Sequence, residues 1–363
     1  MNRLAVTLIF ILSVICLNHT VSGLANELPS VKKQSGADEV KTSPVATEAI
    51  KKSREKTGHV KEITLFALSK DGRLAVTGDE EENNFIWDMK TGALVRKIGR
   101  PENVRIRVVA AAFSPNSSQL LWARDFKIMP VLWDVESGRR LAVLSSREQG
   151  HSANIVSLSF SDDGRYIATG DSQGTVVIWN RAGRSVVRRI RAHSGEARHL
   201  FFIPGSDELA SAGTDGAVRL WGISGTEPLA TLLEPSKDSV TALTGSADGQ
   251  FLYAALDDMT VKGWTVPLRS IRSTLVFDNR LINSIALSPD GDFMALAEEN
   301  ASVMIWSTRE SRIAWKNELD SSATKVVFSP DGKRLYSSGG DNWIREWDVA
   351  SGQLVKKIGG VRE

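Results

Sequence analysis

Tryptophan recurs at a nearly constant spacing along most of the chain, and each occurrence closes a short run rich in β-branched residues. Seven residues follow this pattern, at intervals of 41 to 46 positions: Trp87, Trp133, Trp179, Trp221, Trp264, Trp306 and Trp347. A constant period in this range indicates a repeat architecture in which each unit buries its apolar faces against its neighbours. Most of the 363-residue chain is therefore predicted to form one repetitive domain.

Each repeat holds the same four segments in the same order. An alternating run that ends in a tight turn comes first, as in IVSLSFSDDG at 155–164. A run of small residues follows, as in YIATGD at 166–171, and then the tryptophan run, as in VVIWN at 176–180. A last run such as SVVRRI at 185–190 completes the unit. Period-two alternation between Gly-containing turns predicts four short antiparallel strands per repeat.

Four strands per repeat, Trp-Asp endings and Gly-His pairs resemble the WD40 family of β-propellers. Trp-Asp stands at three of the seven phased positions, and Gly-His stands at 58–59 and 150–151. The resemblance covers residues 57 to 358 and implies an all-β fold, a seven-bladed β-propeller of four-stranded antiparallel blades. The last run, QLVKKI at 353–358, matches ALVRKI at 93–98, so the C-terminus is predicted to complete its own blade. An additional N-terminal strand stays an open alternative.

The resemblance also implies a buried hydrogen-bonded set in each blade. This set joins a His before the first strand, a Ser or Thr on the second strand, an Asp in the next turn and the blade tryptophan. The fourth repeat matches every position: His193, Ser211, Asp215 and Trp221. The third repeat has His151, Thr169 and Trp179 but carries Gln173 where the Asp is expected, and the second and sixth repeats have mostly lost the set. A His, Ser and Asp in proximity suggest a hydrolytic triad, but the resemblance implies a structural role.

The N-terminus has the pattern of a secretory signal. A short basic start precedes an apolar run at 4–17 and a small-residue exit that ends at Ala25. The predicted organisation is a signal peptide at 1–25, a flexible linker at 26–56 and the propeller at 57–363. This pattern predicts export to the periplasm, the extracellular space or a secretory lumen. An uncleaved membrane anchor is the alternative, and the only cysteine, Cys16, lies inside the apolar run.

Composition and motifs favour a binding protein over an enzyme. The 45 Lys and Arg residues nearly balance the 43 Asp and Glu residues, whereas nucleic-acid binders usually carry a large positive excess. No metal-binding histidine pair, nucleophile elbow, phosphate-binding loop or dinucleotide motif is present. We therefore predict no catalytic residue, no metal and no cofactor, although adjacent carboxylates at 79–82 would suit calcium. The alternative is an enzyme or small-ligand binder that uses the central channel.

Charge in the predicted loops suggests where a partner binds. In this architecture, the turns between the second and third strands share one face with the links between blades. Loops of the fifth, sixth, seventh and first repeats are mostly acidic, and those of the second to fourth repeats are weakly basic. The candidate partner-binding residues are Asp79, Glu80, Glu81, Glu82, Asp257, Asp258, Glu298, Glu299, Arg105, Arg107 and Arg124.

This charge pattern predicts a protein or peptide partner steered by an electrostatic field. The ring is expected to be monomeric, with no nucleic-acid partner and no membrane contact unless the N-terminal segment is retained. A second basic cluster, at Arg184, Arg188 and Arg189, falls on or beside an outer strand. Such charges commonly protect a sheet edge from other strands. Contact with an anionic polymer or a lipid headgroup is the alternative.

Overall fold

The computed structural model describes residues 58–98, 107–124, 127–146, 149–182, 184–225, 227–277 and 280–360. Within these ranges all the regular elements are strands, and they form seven four-stranded antiparallel sheets. The prediction of a seven-bladed, all-β propeller is therefore confirmed. The predicted signal peptide at 1–25 and linker at 26–56 lie outside the described residues, so these boundaries stay predictions.

Each blade is built from four strands that are consecutive in the chain. The first blade contains β1 (Ile63–Leu68), β2 (Leu74–Asp79), β3 (Asn84–Asp88) and β4 (Leu94–Ile98); the second contains β5 (Val108–Phe113), β6 (Gln119–Arg124), β7 (Val131–Asp134) and β8 (Arg140–Val143). The third contains β9 (Ile155–Phe160), β10 (Tyr166–Asp171), β11 (Thr175–Asn180) and β12 (Ser185–Arg191); the fourth contains β13 (His199–Phe202), β14 (Glu208–Ala212), β15 (Val218–Gly222) and β16 (Pro228–Leu233). The fifth contains β17 (Val240–Gly245), β18 (Phe251–Leu256), β19 (Thr260–Thr265) and β20 (Ser270–Val276); the sixth contains β21 (Ile282–Leu287), β22 (Phe293–Glu298), β23 (Ser302–Ser307) and β24 (Arg312–Glu318). The seventh contains β25 (Ala323–Phe328), β26 (Arg334–Gly339), β27 (Ile344–Asp348) and β28 (Leu354–Ile358).

The first strand of every blade lies innermost and packs on the first strands of both neighbours. β25 contacts β1, and this contact closes the ring. Closure is completed by hydrogen bonds from His59 N to Gly359 O (2.7 Å) and from Thr324 Oγ1 to Ile63 O (2.8 Å). The outer strand β28 belongs to the last blade, so the C-terminus completes its own blade as predicted. The N-terminal side adds a single bridge between His59 and Gly360.

The phased tryptophans form the walls between blades. Trp221 packs with Ile178 of the third blade, and Trp264 packs with Leu220 of the fourth. Trp87 packs in the same way on Ile344 of the seventh blade, across the closure. Five of the seven indoles are buried, whereas Trp133 and Trp306 are half-buried. Each sheet therefore buries its tryptophan against the blade that precedes it around the ring.

The fourth blade assembles the hydrogen-bonded set expected for it. His193 Nε2 lies 2.8 Å from Ser211 Oγ, and His193 Nδ1 lies 2.8 Å from Asp215 Oδ1. Trp221 Nε1 donates to the same Ser211 oxygen at 2.9 Å. Asp215 also accepts a hydrogen bond from the backbone of Ser194 (3.1 Å). The set therefore joins the link before the blade, the second strand, the following turn and the third strand.

Two further blades hold the complete set, with the carboxylate supplied from a different position. The sets are His59, Thr77, Asp79 and Trp87 in the first blade and His151, Thr169, Asp171 and Trp179 in the third. Asp79 and Asp171 are the last residues of their second strands, whereas Asp215 stands in a turn. Gln173 is therefore not the residue that faces His151, because Asp171 lies 2.8 Å from His151 Nδ1.

The two carboxylate positions exclude each other sterically. Gly213 of the fourth blade takes the place that Asp171 holds in the third, two residues beyond the Ser or Thr. A Cβ atom on Gly213 would lie 2.5 Å from His193 Nδ1 and 2.7 Å from Asp215 Oδ1. In the fourth blade, the carboxylate from the turn thus reaches the histidine because a glycine follows the second strand. The spacing of the residues in the sequence could have identified the first-blade set. In all three complete sets, the His precedes the Thr or Ser by 18 residues, and the Trp follows the Thr or Ser by 10.

Other blades use parts of the set or apolar substitutes. In the seventh blade, Trp347 Nε1 donates to Ser337 Oγ at 2.8 Å, whereas Asp341 binds Arg345. In the second blade, Trp133 Nε1 is buried without a hydrogen-bond partner among the described residues, and its ring packs on Trp122 at 4.9 Å between centroids. In the sixth, Phe277 packs on Trp306 at 6.1 Å. The tryptophans of the second and sixth blades thus rely more on apolar packing than on directional bonds.

The carboxylates of the complete sets are held in their charged form. Burial acts to raise the pKa of Asp171, but hydrogen bonds from His151 and from the backbone of Thr175 outweigh it, and the pKa is lowered. The same balance, with His59 and Asn83 as donors, lowers the pKa of Asp79. The buried carboxylates thus gain more from these donors than they lose by desolvation.

Replacing Ser211 by Ala is expected to destabilise the ring. The change leaves Trp221 Nε1 and the His193 ring nitrogen without partners in a buried site, a loss of about 1–3 kcal/mol in the free energy of unfolding. Chemical denaturation followed by tryptophan fluorescence measures it. Ser337→Ala, which removes one such bond, should cost less, and Ser194→Ala at an exposed position should stay within about 0.5 kcal/mol. Equal losses for all three variants would contradict the ranking.

Acidification is expected to weaken the ring through these carboxylates. The folded-state pKa of Asp171 lies below its unfolded value of about 4, so its contribution is complete above that pH and is lost as pH falls through the folded-state pKa. The Asp171→Asn variant lacks this contribution at every pH, because an amide does not titrate. The difference in melting temperature between the unaltered chain and Asp171→Asn should therefore become smaller as the pH is lowered from about 7 to about 3. A difference that stays constant would argue against the charged form.

Candidate functional site

The turns between the second and third strands and the links between blades form one end of the ring, which we call the link face. Among the described residues, a recurring backbone hydrogen bond holds the turns of six blades to the link before each of them. It joins Ser172 N to Asn154 O (2.8 Å), Asp257 N to Ser239 O (3.0 Å) and Glu299 N to Leu281 O (3.0 Å). The same bond occurs at Glu80, Thr214 and Gly340. Side chains on these turns are thus presented from an anchored backbone.

One arc of the link face is acidic. The exposed carboxylates predicted for it are Glu80 and Glu81 in the first blade, Asp257 and Asp258 in the fifth, and Glu299 in the sixth. Glu234 and Asp320, in links of the same arc, and Glu318, at the end of β24, are exposed as well. Blades five, six, seven and one are consecutive around the ring, so these residues share one side of the link face. At Glu62, in the link before the first blade, burial and the nearby charge of Glu80 raise the pKa of the carboxyl.

Two predicted members of the arc do not belong to an exposed surface. Asp79 is only 2% exposed, since its carboxylate faces His59. Glu298 is 1% exposed and is neutralised by Lys316 (Nζ–Oε2 2.6 Å) and Arg280 (3.2 Å). Burial acts to raise the pKa of Glu298, but the bonds from Lys316 and Ser302 lower it overall. Both are the last residues of second strands, and both are bound by groups of their own blade or of the link before it.

The remaining acidic candidate is Glu82, which is half-buried in a left-handed backbone conformation (φ 66°). Since Asp79 is engaged by His59, the carboxylates at 79–82 do not converge on one point. Within the described part of the chain, no group of three or more His, Cys, Asp and Glu residues is arranged to hold a metal ion.

The predicted basic arc is sparser. Arg107 is exposed and Arg124 is half-buried, whereas Arg105 lies outside the described residues. Arg198, on the same side, pairs with Glu196 at 3.0 Å. The link face thus has an acidic side that is better defined than its basic side.

Polar groups along the central channel mainly join blade to blade. Ser157 Oγ donates to Ala197 O (2.6 Å), and Asn283 Nδ2 donates to Ala323 O (2.9 Å). His199, on an inner strand, is neutral at physiological pH because burial and the charge of Lys325 lower its pKa to about 3. These groups are used for packing the ring, and no paired nucleophile and base is formed by them.

Comparisons with known proteins agree with this architecture. A family model described as WD domain, G-beta repeat matches residues 140–180, 184–222 and 226–265. The model described as Anaphase-promoting complex subunit 4 WD40 domain matches residues 285–362.

Curated relatives match over much of the chain. Periodic tryptophan protein 2 of Arabidopsis thaliana is 26% identical over 71% of this chain, and its homolog in Dictyostelium discoideum is 27% identical over 59%. Target of rapamycin complex subunit wat1 of Schizosaccharomyces pombe is 24% identical over 68% of this chain and is matched over 78% of its own length. The chain spans only 29% and 24% of the first two relatives, respectively.

The predicted export is wrong. The relatives that match the propeller are nuclear or cytoplasmic proteins, not exported ones. An apolar run with a small-residue exit is a compositional signal, and it lies outside the described residues. Among the residues that the structure does describe, no helix has the length and apolar character needed to cross a membrane. What the fold and the comparisons establish together is that this chain is a WD40-repeat protein whose seven blades close into one propeller.

Proposed function

We propose that this propeller is a non-catalytic scaffold that binds a protein partner on the acidic arc of its link face. The observation that carries the proposal is the set of exposed carboxylates on the first, fifth and sixth blades, at Glu80, Glu81, Asp257, Asp258 and Glu299. A concentration of like charge on one side of a rigid ring attracts and orients a partner of opposite charge. The partner we infer is a protein segment rich in lysine and arginine.

The backbone of the link face supports this role. The turns that carry Glu80, Asp257 and Glu299 are each tied to the preceding link by a backbone hydrogen bond. In the first blade, the turn that carries Glu80 is held a second time, because the preceding residue, Asp79, is bound by His59 in the core. Anchored turns lose little conformational entropy on binding, so less of the electrostatic attraction to a partner is offset by the cost of ordering the loops.

The names of the relatives are compatible with an assembly role. One relative is a subunit of a target of rapamycin complex, and another is a pre-mRNA-processing factor 19 homolog of Arabidopsis thaliana. Neither name identifies a partner for this chain. The role that we carry over is only that of a propeller that holds other proteins.

Charge reversal tests the proposal. Replacing Glu80 and Glu81 by Lys should weaken binding of a labelled lysine-rich peptide by about tenfold or more, since two attractions become repulsions. Fluorescence anisotropy of the peptide measures the affinity. For the unaltered chain, the affinity should fall steadily as salt is added, because these groups are exposed.

The matched control reverses two exposed carboxylates at the opposite end of the ring, Glu136 and Glu310. These residues stand in turns between third and fourth strands, so Glu136→Lys/Glu310→Lys alters the net charge equally without touching the link face. The control should bind the peptide nearly as well as the unaltered chain. Equal weakening by both double variants would mean that only net charge matters, and the proposed surface would be rejected.

A further inference from the structure

Lys325 is the only charged residue in the seven inner strands that surround the central channel. These strands are β1, β5, β9, β13, β17, β21 and β25, and none of them contains an aspartate or a glutamate. The only histidine in them is His199 of β13. The inner strands therefore give the channel one positive charge and no negative charge.

Lys325 and His199 occupy the same place in their blades. Lys325 lies opposite Ser338, and His199 lies opposite Ala212, in each case one residue beyond the hydroxyl that accepts from the blade tryptophan. The equivalent residues of the other five blades are small or apolar, and all are buried: Leu65, Ala110, Ser157, Ala242 and Ser284. Lys325 and His199 are only half-buried, so solvent reaches the channel beside them.

The ammonium group of Lys325 extends across the channel towards the fourth blade. The inner strands of the fourth and seventh blades are not neighbours in the ring. Nevertheless, burial and then the charge of Lys325 lower the pKa of His199, and burial and then the charge of Arg198 lower the pKa of Lys325. Charges act in this way only over short distances. Lys325 thus faces basic groups rather than a carboxylate.

Lys325 has no counter-ion in the described part of the chain. It forms no ion pair and no side-chain hydrogen bond there. Two carboxylates stand in the links that lead to the first and fourth inner strands, but Glu62 accepts from Ser322 (3.5 Å) and Glu196 pairs with Arg198 (3.0 Å). A cation that loses hydration without gaining an anion is unfavourable, so this position favours an anionic ligand.

Two buried polar atoms beside the channel are also unsatisfied. His199 Nε2 and Thr241 Oγ1 have no hydrogen-bond partner among the described residues. Thr241 stands at the bulge of β17, which packs on β13, and the backbone of Val240 and Thr241 lies close enough to the His199 ring to act on its pKa. The ring therefore packs between blades while Nε2 stays free. An oxyanion would accept from the Thr241 hydroxyl and, in the tautomer protonated there, from His199 Nε2.

We propose that the central channel binds an oxyanion, a carboxylate or a phosphate, with the Lys325 ammonium as its counter-ion and Thr241 and His199 as its hydrogen-bonding partners. A channel with apolar walls and charge of one sign concentrates the opposite ion. Two sources carry this chemistry, a free small anion and the acidic side chain of a bound protein. The site uses none of the residues of the acidic arc.

Isothermal titration calorimetry at constant ionic strength tests the site with three probes: inorganic phosphate, citrate and a glutamate-rich peptide. At least one should bind, and Lys325→Met should weaken that binding by about tenfold or more, because the variant keeps the length of the side chain and loses its charge. Thr241→Val should weaken it to a smaller extent. Phosphate or citrate binding identifies a free anion as the source, and binding of the peptide alone identifies a protein side chain.

The matched control is Lys333→Met, which removes the same charge from an exposed residue in the turn after β25. It should leave the affinity unchanged. Equal weakening by both lysine variants would overturn the proposal, because only net charge would then matter. Failure of all three probes to bind would overturn it as well.

Thermal unfolding separates a ligand site from a structural role. Without an anion, Lys325→Met should melt at the same temperature as the unaltered chain or higher, since an unpaired charge is removed. The probe that binds should raise the melting temperature of the unaltered chain and of Lys333→Met, but not that of Lys325→Met. A rise of equal size in all three proteins would contradict the site.

The result is separable from the test of the acidic arc. Glu80→Lys/Glu81→Lys should not weaken binding of the anionic probe, and Lys325→Met should not weaken binding of the lysine-rich peptide. Circular dichroism of each variant shows whether it is folded, and Thr241→Val keeps the test valid if Lys325→Met is unstable.

Discussion

The structure depends on the packing of each blade tryptophan against the blade before it. A four-stranded sheet has two apolar faces and is not stable alone in water, so a rigid indole is needed to fill the wedge between sheets. The indole also brings one N–H group that must find an acceptor where no water enters. In four blades a Ser or Thr on the second strand supplies that acceptor. This single requirement explains why small hydroxyl residues recur one strand away from the tryptophans.

The histidine and carboxylate sets connect the buried tryptophans to the turns of the link face. In three blades the hydroxyl that accepts from tryptophan also contacts a histidine of the preceding link. That histidine contacts a carboxylate at or near the start of the turn. The buried hydrogen-bonded sets thus hold the backbone of the turns that follow the second strands. The resemblance of such a set to a hydrolytic triad is superficial, because all its members are engaged with one another inside the fold.

Charge is unevenly distributed over the ring. The link face of the first, fifth and sixth blades collects exposed carboxylates, whereas the exposed Arg107 stands before the second blade. Near-zero net charge over the whole chain conceals this separation. The turns that begin with Glu80, Asp257 and Glu299 are anchored, since a backbone hydrogen bond ties each of them to the preceding link.

Local alternation, turn residues and the tryptophan period in the sequence were sufficient to predict the number of blades and the strands in each, whereas an additional N-terminal strand at the ring closure stayed open. The sequence also identified the fourth-blade set, where every member stands at its expected position. The burial of Asp79 and Glu298 was visible only in the folded ring, because their partners lie 18 to 20 positions away in the chain: His59 for Asp79, and Arg280 and Lys316 for Glu298. Whether a charged side chain is paired depends on residues that the fold, and not the local sequence, brings beside it.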